Sequence, residues 1–287
     1  MILVTGTSGH LGRLVVDALL DRISPSEIVA GARSIANVSD LAERGVHVRT
    51  VDYDRPDTLG AAFDGVDTVL LVSSSEVGRR AAQHQTVIDA ARSAGVSHLA
   101  YTSILRADTS PMLLAAEHLA TERAIEASGL AHTFLRNGWY IENYTANLAP
   151  ALEHGTLVGS AGTGRIAAAT RSDYAAAAAQ VLTSAAHERA VYELAGNPFT
   201  MYELAAAVSA EVGRSIGYTD LAPADYRAVL VQAGVPEGFA DVLVDADVNV
   251  ARGQLDAPST DLASLLGRPL TPLPDAIRAG LAATAVR

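Results

Sequence analysis

Three glycines, Gly6, Gly9 and Gly12, stand three residues apart in "ILVTGTSGHLGRLVVDALL" (Ile2–Leu20). A short β-branched run precedes them, and an apolar run at helical spacing follows. A strand, a glycine-rich turn and a helix N-terminus present free peptide N–H groups and the positive end of the helix dipole, which suits an anion. In such a turn Gly6 permits the tight bend. Gly9 lets a pyrophosphate approach the backbone, and Gly12 lets helix and strand pack closely. The spacing is G-x-x-G-x-x-G rather than G-x-G-x-x-G, and a packing turn with no ligand is the alternative. Placement in the first strand–helix unit of a strongly alternating chain favours a dinucleotide site built on Gly6, Thr7, Ser8, Gly9, His10, Leu11 and Gly12.

The next apolar run, "EIVAGAR", ends on Arg33. A site for NAD(H) usually places an acid there, about 20 residues on, to hold the ribose 2′-hydroxyl. Here no acid follows until Asp40. A guanidinium pairs with a 2′-phosphate, so Arg33 selects NADPH, with NADH a weaker alternative. A solvated surface arginine is the competing explanation. Asp52 caps the turn after the third run or meets the adenine amine. Ser73, Ser74 and Ser75 end the fourth run, where short hydroxyls let the backbone approach a ribose and phosphate or cap the next helix. After the sixth run come Trp139, Tyr140, Asn143 and Tyr144. An aromatic wall there would stack a flat ring. Tyr140 would then donate to a substrate oxygen and Asn143 would orient the substrate or the carboxamide; packing of the lobe is the alternative.

Elements that position these residues are legible as six short apolar runs: Ile2–Thr5, Glu27–Gly31, Val46–Val51, Thr68–Ser73, His98–Ser103 and His132–Leu135. Helical patterns lie between them, including Leu11–Leu20, Ser34–Arg44, Arg79–Ala94 and Leu113–Ser128. This alternation predicts an α/β fold with a doubly wound parallel Rossmann sheet. Gly95 and Gly129 are placed to end helices. Beyond Leu135 the rhythm changes: a Gly-rich loop, an Ala-rich helix starting near Ser172 and capped by Asp173, a further strand at Ala190–Gly196, then a mainly helical stretch. We therefore expect a cofactor-binding core over 1–136, rejoined by 167–198, and a small, mainly helical C-terminal lobe from 137–166 and 199–287.

The chain has 287 residues, a net charge of −11 and 49% hydrophobic residues, enough for a sizeable core. An acidic chain is repelled by phosphate backbones, which sets nucleic acid aside. There are no cysteines, which excludes disulfides and thiolate chemistry, and there is no lysine. No apolar run is long enough for a membrane span, and the N-terminus does not read as a signal peptide, so a cytoplasmic bacterial protein is expected. His84 and His98 lack partners at metal spacing, and no metal is expected. Arg79 and Arg80 open a helix, an unfavourable place for cations that hints at an anionic neighbour. His118 reads as a helix-surface histidine or a proton relay, with Glu117 and Glu122 as solvated charges beside it.

"TGTSGHLG", "LLVSSSEVGRRAAQHQTVIDAARSAGVSHLAYTS", "ADTSP", "EHLATERAIEASGLAHTFLRNGWYIENY" and "ALEHG", with "YELAG" and "DVLVDADV" further on, resemble the atypical short-chain dehydrogenase/reductases over nearly the full length. The nearest likeness is to the NmrA-like group and, within it, the bacterial NAD(P)H:quinone oxidoreductases. The resemblance implies cofactor contacts from Gly6 to Gly12, at Arg33, at Ser73 to Ser75, along Asn137, Gly138, Trp139 and Tyr140 as far as Asn143, and at Arg165. Most short-chain reductases use a Tyr and a Lys four residues on as proton donor. Aligning on Glu122 puts Leu114 at the Tyr position and His118 at the Lys position, so the pair is absent. Alcohol dehydrogenase chemistry is then disfavoured. A quinone tolerates the loss, because its reduced product spreads negative charge by resonance and hydride transfer depends mainly on approach. The expected activity is two-electron reduction of a small quinone by NADPH, with Tyr140 and Asn143 at the reacting ring. A homodimer is compatible with this reading. An NADP(H)-binding redox sensor acting through a protein partner, or a reductase or isomerase of aromatic natural products, would share the same fold.

Overall fold

The computed structural model describes residues 1–184 and 191–285. The first half runs β1 (Ile2–Val4), α1 (His10–Leu20), β2 (Ile28–Ala32), α2 (Ser39–Glu43), β3 (His47–Thr50), α3 (Pro56–Ala62), β4 (Thr68–Leu71), α4 (Arg80–Ser93), β5 (His98–Ile104), α5 (Leu113–Ser128) and β6 (Ala131–Asn137). There follow β7 (Trp139–Tyr140), α6 (Glu142–Thr145), α7 (Ala149–His154), β8 (Thr156–Gly159), β9 (Arg165–Ala169), α8 (Arg171–Thr183), β10 (Val191–Leu194) and β11 (Asn197–Thr200). The chain closes with α9 (Met201–Val212), β12 (Gly217–Asp220), α10 (Pro223–Gln232), α11 (Glu237–Ala251), α12 (Asp261–Leu266) and α13 (Leu273–Ala285).

Seven strands form one parallel sheet in the order β10-β6-β5-β4-β1-β2-β3. All six expected runs are in it, and β10 adds the seventh at one edge. Ala190, where that last run was expected to begin, lies outside the described residues. The strands are apolar on both faces because successive residues point opposite ways and helices cover both sides. Leu3 packs with Val29, Phe63, Ile88 and Phe134, while its neighbour Val4 packs with Leu19, Ile28, Tyr174 and Leu182. In α1, Leu11, Val15, Val16 and Leu19 fall on one buried face. The Ala-rich α8 lies against it, eight of its residues buried.

A three-stranded sheet, β11-β9-β7, and the pair β12-β8 belong to the second part of the molecule. Its core gathers Ile104, Met112, Leu148, Ile166, Phe199, Leu204, Val250 and Ile277. Two expectations need correction. Ser34–Arg44 is not one helix: it splits into a 3-10 turn at Ile35–Val38 and the short α2, because Val38 leaves helical geometry at φ −137°. The cap of α8 is Thr170, whose hydroxyl accepts the Asp173 N–H at 3.1 Å. Asp173 itself is buried and points the other way, to Arg268 at 2.8 Å and the Thr271 N–H at 2.9 Å. Gly129 ends α5 in the left-handed region (φ +76°), and Gly95 has φ +72° just after α4.

Candidate functional site

The glycine turn sits between β1 and α1 and is tied down on both sides. Thr5 N–H donates to the Leu70 carbonyl, and Thr7 gives both its N–H and its hydroxyl to the Gly31 carbonyl, each at 3.0 Å. Gly6 has φ +62°, which glycine adopts without strain. A Cβ at Gly12 would lie 2.5 Å from the Gly6 carbonyl oxygen, so the first turn of α1 rests directly on the loop backbone. Gly9 is the N-cap, no side chain bonds to the helix end, and the first turn holds no acid. That leaves an uncapped helix end facing a cleft of about 290 Å³ lined by Thr7, Ser8, Gly9, His10, Arg13, Leu14 and Asn37. A pyrophosphate fits this cradle: small residues, free N–H donors and no competing carboxylate. Arg13 on its wall was not anticipated. It pairs with Asp40, whose carboxyl that pairing holds below its usual value.

Arg33 follows β2 with its side chain 71% exposed, and its guanidinium lies 3.3 Å from Glu76. Asp52 does cap its own turn, accepting the Asp54 N–H at 3.1 Å. The serine segment after β4 is held by buried partners. Ser73 N–H donates to Thr102 Oγ1 at 2.8 Å. Ser74 is gripped on both peptide groups by α4: its N–H donates to His84 Nε2 at 3.0 Å, and its carbonyl accepts Arg80 Nε at 2.7 Å. His84 Nδ1 then meets Thr121 Oγ1 at 2.9 Å, fixing Nε2 as the acceptor. Burial, with Arg80 alongside, pushes the His84 pKa down to about 3, so the ring stays neutral. The anionic neighbours hinted at by Arg79 and Arg80 are side chains: Glu76 and Asp54 for Arg79, Glu117 for Arg80.

The α5 charges are not where sequence reasoning put them. His118 is buried, its Nδ1 2.7 Å from the Tyr101 hydroxyl, and burial holds its pKa well below 6.5. Glu122 is buried and pairs with Arg136 through both oxygens, at 2.9 and 2.7 Å. Glu117 accepts the Gly78 N–H at 2.9 Å. The cause is packing of α5 on α4, β5 and β6, which turns His118, Thr121, Glu122 and Ile125 inward. Their i, i+3, i+4, i+7 spacing was the available signal.

At the carboxyl end of β6 the segment 137–143 turns back beside the sheet. A Cβ at Gly138 would lie 2.5 Å from the Ala167 carbonyl, so only glycine fits there. Trp139 and Tyr140 are half-buried and pair through β7 with Ala168 and Ala169. Tyr140 has Arg171 over its ring at 4.5 Å and Tyr174 edge-on at 5.4 Å. Its hydroxyl accepts Asn137 Nδ2 at 3.4 Å, and burial raises its pKa. Asn143 is exposed, and its Oδ1 accepts Arg171 Nη2 at 2.9 Å. Arg165 stands apart from this group. It begins β9, three residues or about 10 Å of strand before the partner of Trp139. There it donates to the Pro198 carbonyl at 2.7 Å and faces Glu203. Among the described residues there is no cluster of three or more His, Cys, Asp or Glu able to hold a metal, and no helix long and apolar enough to cross a membrane.

Known proteins resemble this chain over nearly its full length. Quinone oxidoreductase 2 of Escherichia coli (strain K12) is 48% identical over 278 residues, 96% of this chain and 97% of that protein. The crystal structure of an NADPH-dependent quinone oxidoreductase from Escherichia coli complexed with NADPH superposes with a TM-score of 0.94, at 48% identity over 97% of this chain and 99% of that one. The triphenylmethane reductase of Citrobacter sp., complexed with NADP(H), superposes at 0.93 with 38% identity over 98% of this chain and 100% of that one. The NmrA-like family pattern matches residues 1–255, and with that match and these relatives the chain belongs to the NmrA-like family.

Proposed function

We infer that this chain is an NADPH-dependent quinone oxidoreductase. The observation that carries the reading is an uncapped glycine turn after β1, with Tyr140 just beyond the carboxyl end of β6 in the same parallel sheet, in a chain 48% identical to a quinone oxidoreductase. Bound NADPH supplies the hydride. The chain's residues bind, orient and shield. The peptide N–H groups of the Gly6–Gly12 turn that make no internal bond hold the pyrophosphate, and Arg33 takes the 2′-phosphate. The backbone of Ser73 to Ser75 lies along the ribose and phosphate. Asn137 and Gly138 bring the β6 end close to the nicotinamide. Tyr140 stacks the quinone ring, Trp139 on the other face of β7 packs the lobe that covers it, and Asn143 orients it from the rim. Arg165 lines the outer edge of the same lobe. Residues 1–136 with 167–198 form the cofactor half, and 137–166 with 199–287 cover the substrate and exclude water.

Tyr140 is the donor this site offers. Asn137 donates to its oxygen, which leaves the phenolic proton free for a quinone oxygen, and its raised pKa keeps that proton in place. A quinone needs no stronger acid, since charge developing on the ring is delocalised. A chain without lysine therefore remains competent. A cytoplasmic location suits a cysteine-free NADPH enzyme, and a homodimer is the assembly we propose, read out by sedimentation.

The test is oxidation of NADPH and of NADH with a simple benzoquinone, on wild type and Arg33→Ala. We expect turnover that favours NADPH, and a KM for NADPH about ten- to a hundred-fold higher in the variant, the worth of a charge-assisted contact. Tight NADPH binding with every quinone inert would instead establish the sensor.

A further inference from the structure

We propose that Glu76 sets how strongly the protein prefers NADPH to NADH, by competing with the 2′-phosphate for Arg33; the inference rests on the role given to Arg33 above. Glu76 lies in the turn between β4 and α4. Its carboxylate meets Arg33 Nη1 at 3.3 Å through one oxygen. Through the other it takes Arg79 Nη1 at 3.0 Å and Gln83 Nε2 at 3.1 Å. Arg79 and Gln83 are themselves braced on Asp54, at 2.8 and 3.2 Å. Glu76 is thus anchored from the α4 side by contacts that do not involve Arg33.

Two consequences follow from that anchoring. The linked group holds two arginines, Arg33 and Arg79, and two carboxylates, Glu76 and Asp54. Their charges cancel, so a phosphate arriving there meets a neutralised guanidinium. When Arg33 turns to the phosphate, Glu76 stays on Arg79 and Gln83, close enough to repel a dianion. A 2′-hydroxyl is neutral and incurs no such cost. The same carboxylate therefore weakens NADPH and leaves NADH untouched, narrowing the gap that Arg33 opens.

Calorimetric titration with 2′,5′-ADP, which carries the phosphate, and 5′-AMP, which lacks it, isolates this effect from turnover. Wild type, Glu76→Gln, Arg33→Ala and the double variant are compared, with thermal melts to verify folding. Glu76→Gln should bind 2′,5′-ADP about two- to five-fold more tightly, as expected for partly exposed charges, with 5′-AMP unchanged. The gain should shrink in the Arg33→Ala background, the sign of coupling between the two side chains. Unchanged or weaker 2′,5′-ADP binding in Glu76→Gln, while Arg33→Ala still loses it, would overturn the proposal and leave Arg33 in its role. If Arg33→Ala does not alter the preference for 2′,5′-ADP over 5′-AMP, the Arg33 assignment fails and this proposal fails with it.

Discussion

Tyr140 combines a stacking face with a proton that no described residue takes. Among the described residues its hydroxyl has one long contact, from Asn137 at 3.4 Å, so its loss should barely touch the fold. Tyr140→Phe keeps the ring under Arg171 and removes the donor. We expect kcat with a benzoquinone to fall about three- to ten-fold, the worth of one neutral hydrogen bond, with the KM for NADPH near wild type. An unchanged kcat would show that solvent donates instead. Single residues were legible in the sequence where backbone chemistry dictates type. Gly6 and Gly12 are examples: one needs a positive φ and the other has no room for a Cβ. Charged side chains were less so. Glu122 looks solvated along the helix because its partner, Arg136, arrives from a strand 14 residues later.

Helix α4 does more than cover a sheet face. Arg80 and His84, four residues apart on one buried side, clamp the two peptide groups of Ser74 and so fix the turn on which the cofactor is proposed to rest. His84→Ala leaves the Ser74 N–H without its acceptor and opens a cavity. A loss of about 2–4 kcal/mol in stability is expected, measurable by urea unfolding. The more telling readout is kinetic: the KM for NADPH should rise while kcat at saturation holds. A fall in kcat alone would mean that the clamp does not serve cofactor binding. At this scale the central sheet was readable because apolar runs of four to seven residues bounded by glycine and polar residues leave few alternatives. The helix α3 was missed, although Pro56 at its first turn marks it; seven residues with Gly60 inside carry little periodicity. Strands β7, β8, β9, β11 and β12 are two to five residues long and exist through partners distant in sequence.

Across the whole molecule, the second part is joined to itself by a buried acid. Asp247, on α11, accepts the Ser160 N–H at 2.7 Å beyond β8. Burial pushes its pKa up to about 6. The unfolded value is about 3.9, so the native state holds this proton more firmly than the unfolded chain does. Stability from this group is therefore greatest below pH ~4 and is lost as pH rises to ~6, by on the order of 3 kcal/mol. Asp247→Asn should flatten that dependence and unfold at higher urea than wild type at pH 8; an unaltered pH profile would exclude the assignment. The topology has a further consequence for synthesis. The edge strand β10 and the helix α8 that shields α1 both come after the segment that forms β7 to β9. On a ribosome, the face of α1 that meets α8 stays bare until residue 183 has emerged, and the free edge of β6 until residue 194 has. Between residues 137 and 194 the nascent chain thus holds an incomplete sheet, with an edge open to other strands. A chain interrupted between β6 and β10 would be a substrate for chaperones or aggregation, even though it already carries the whole glycine turn.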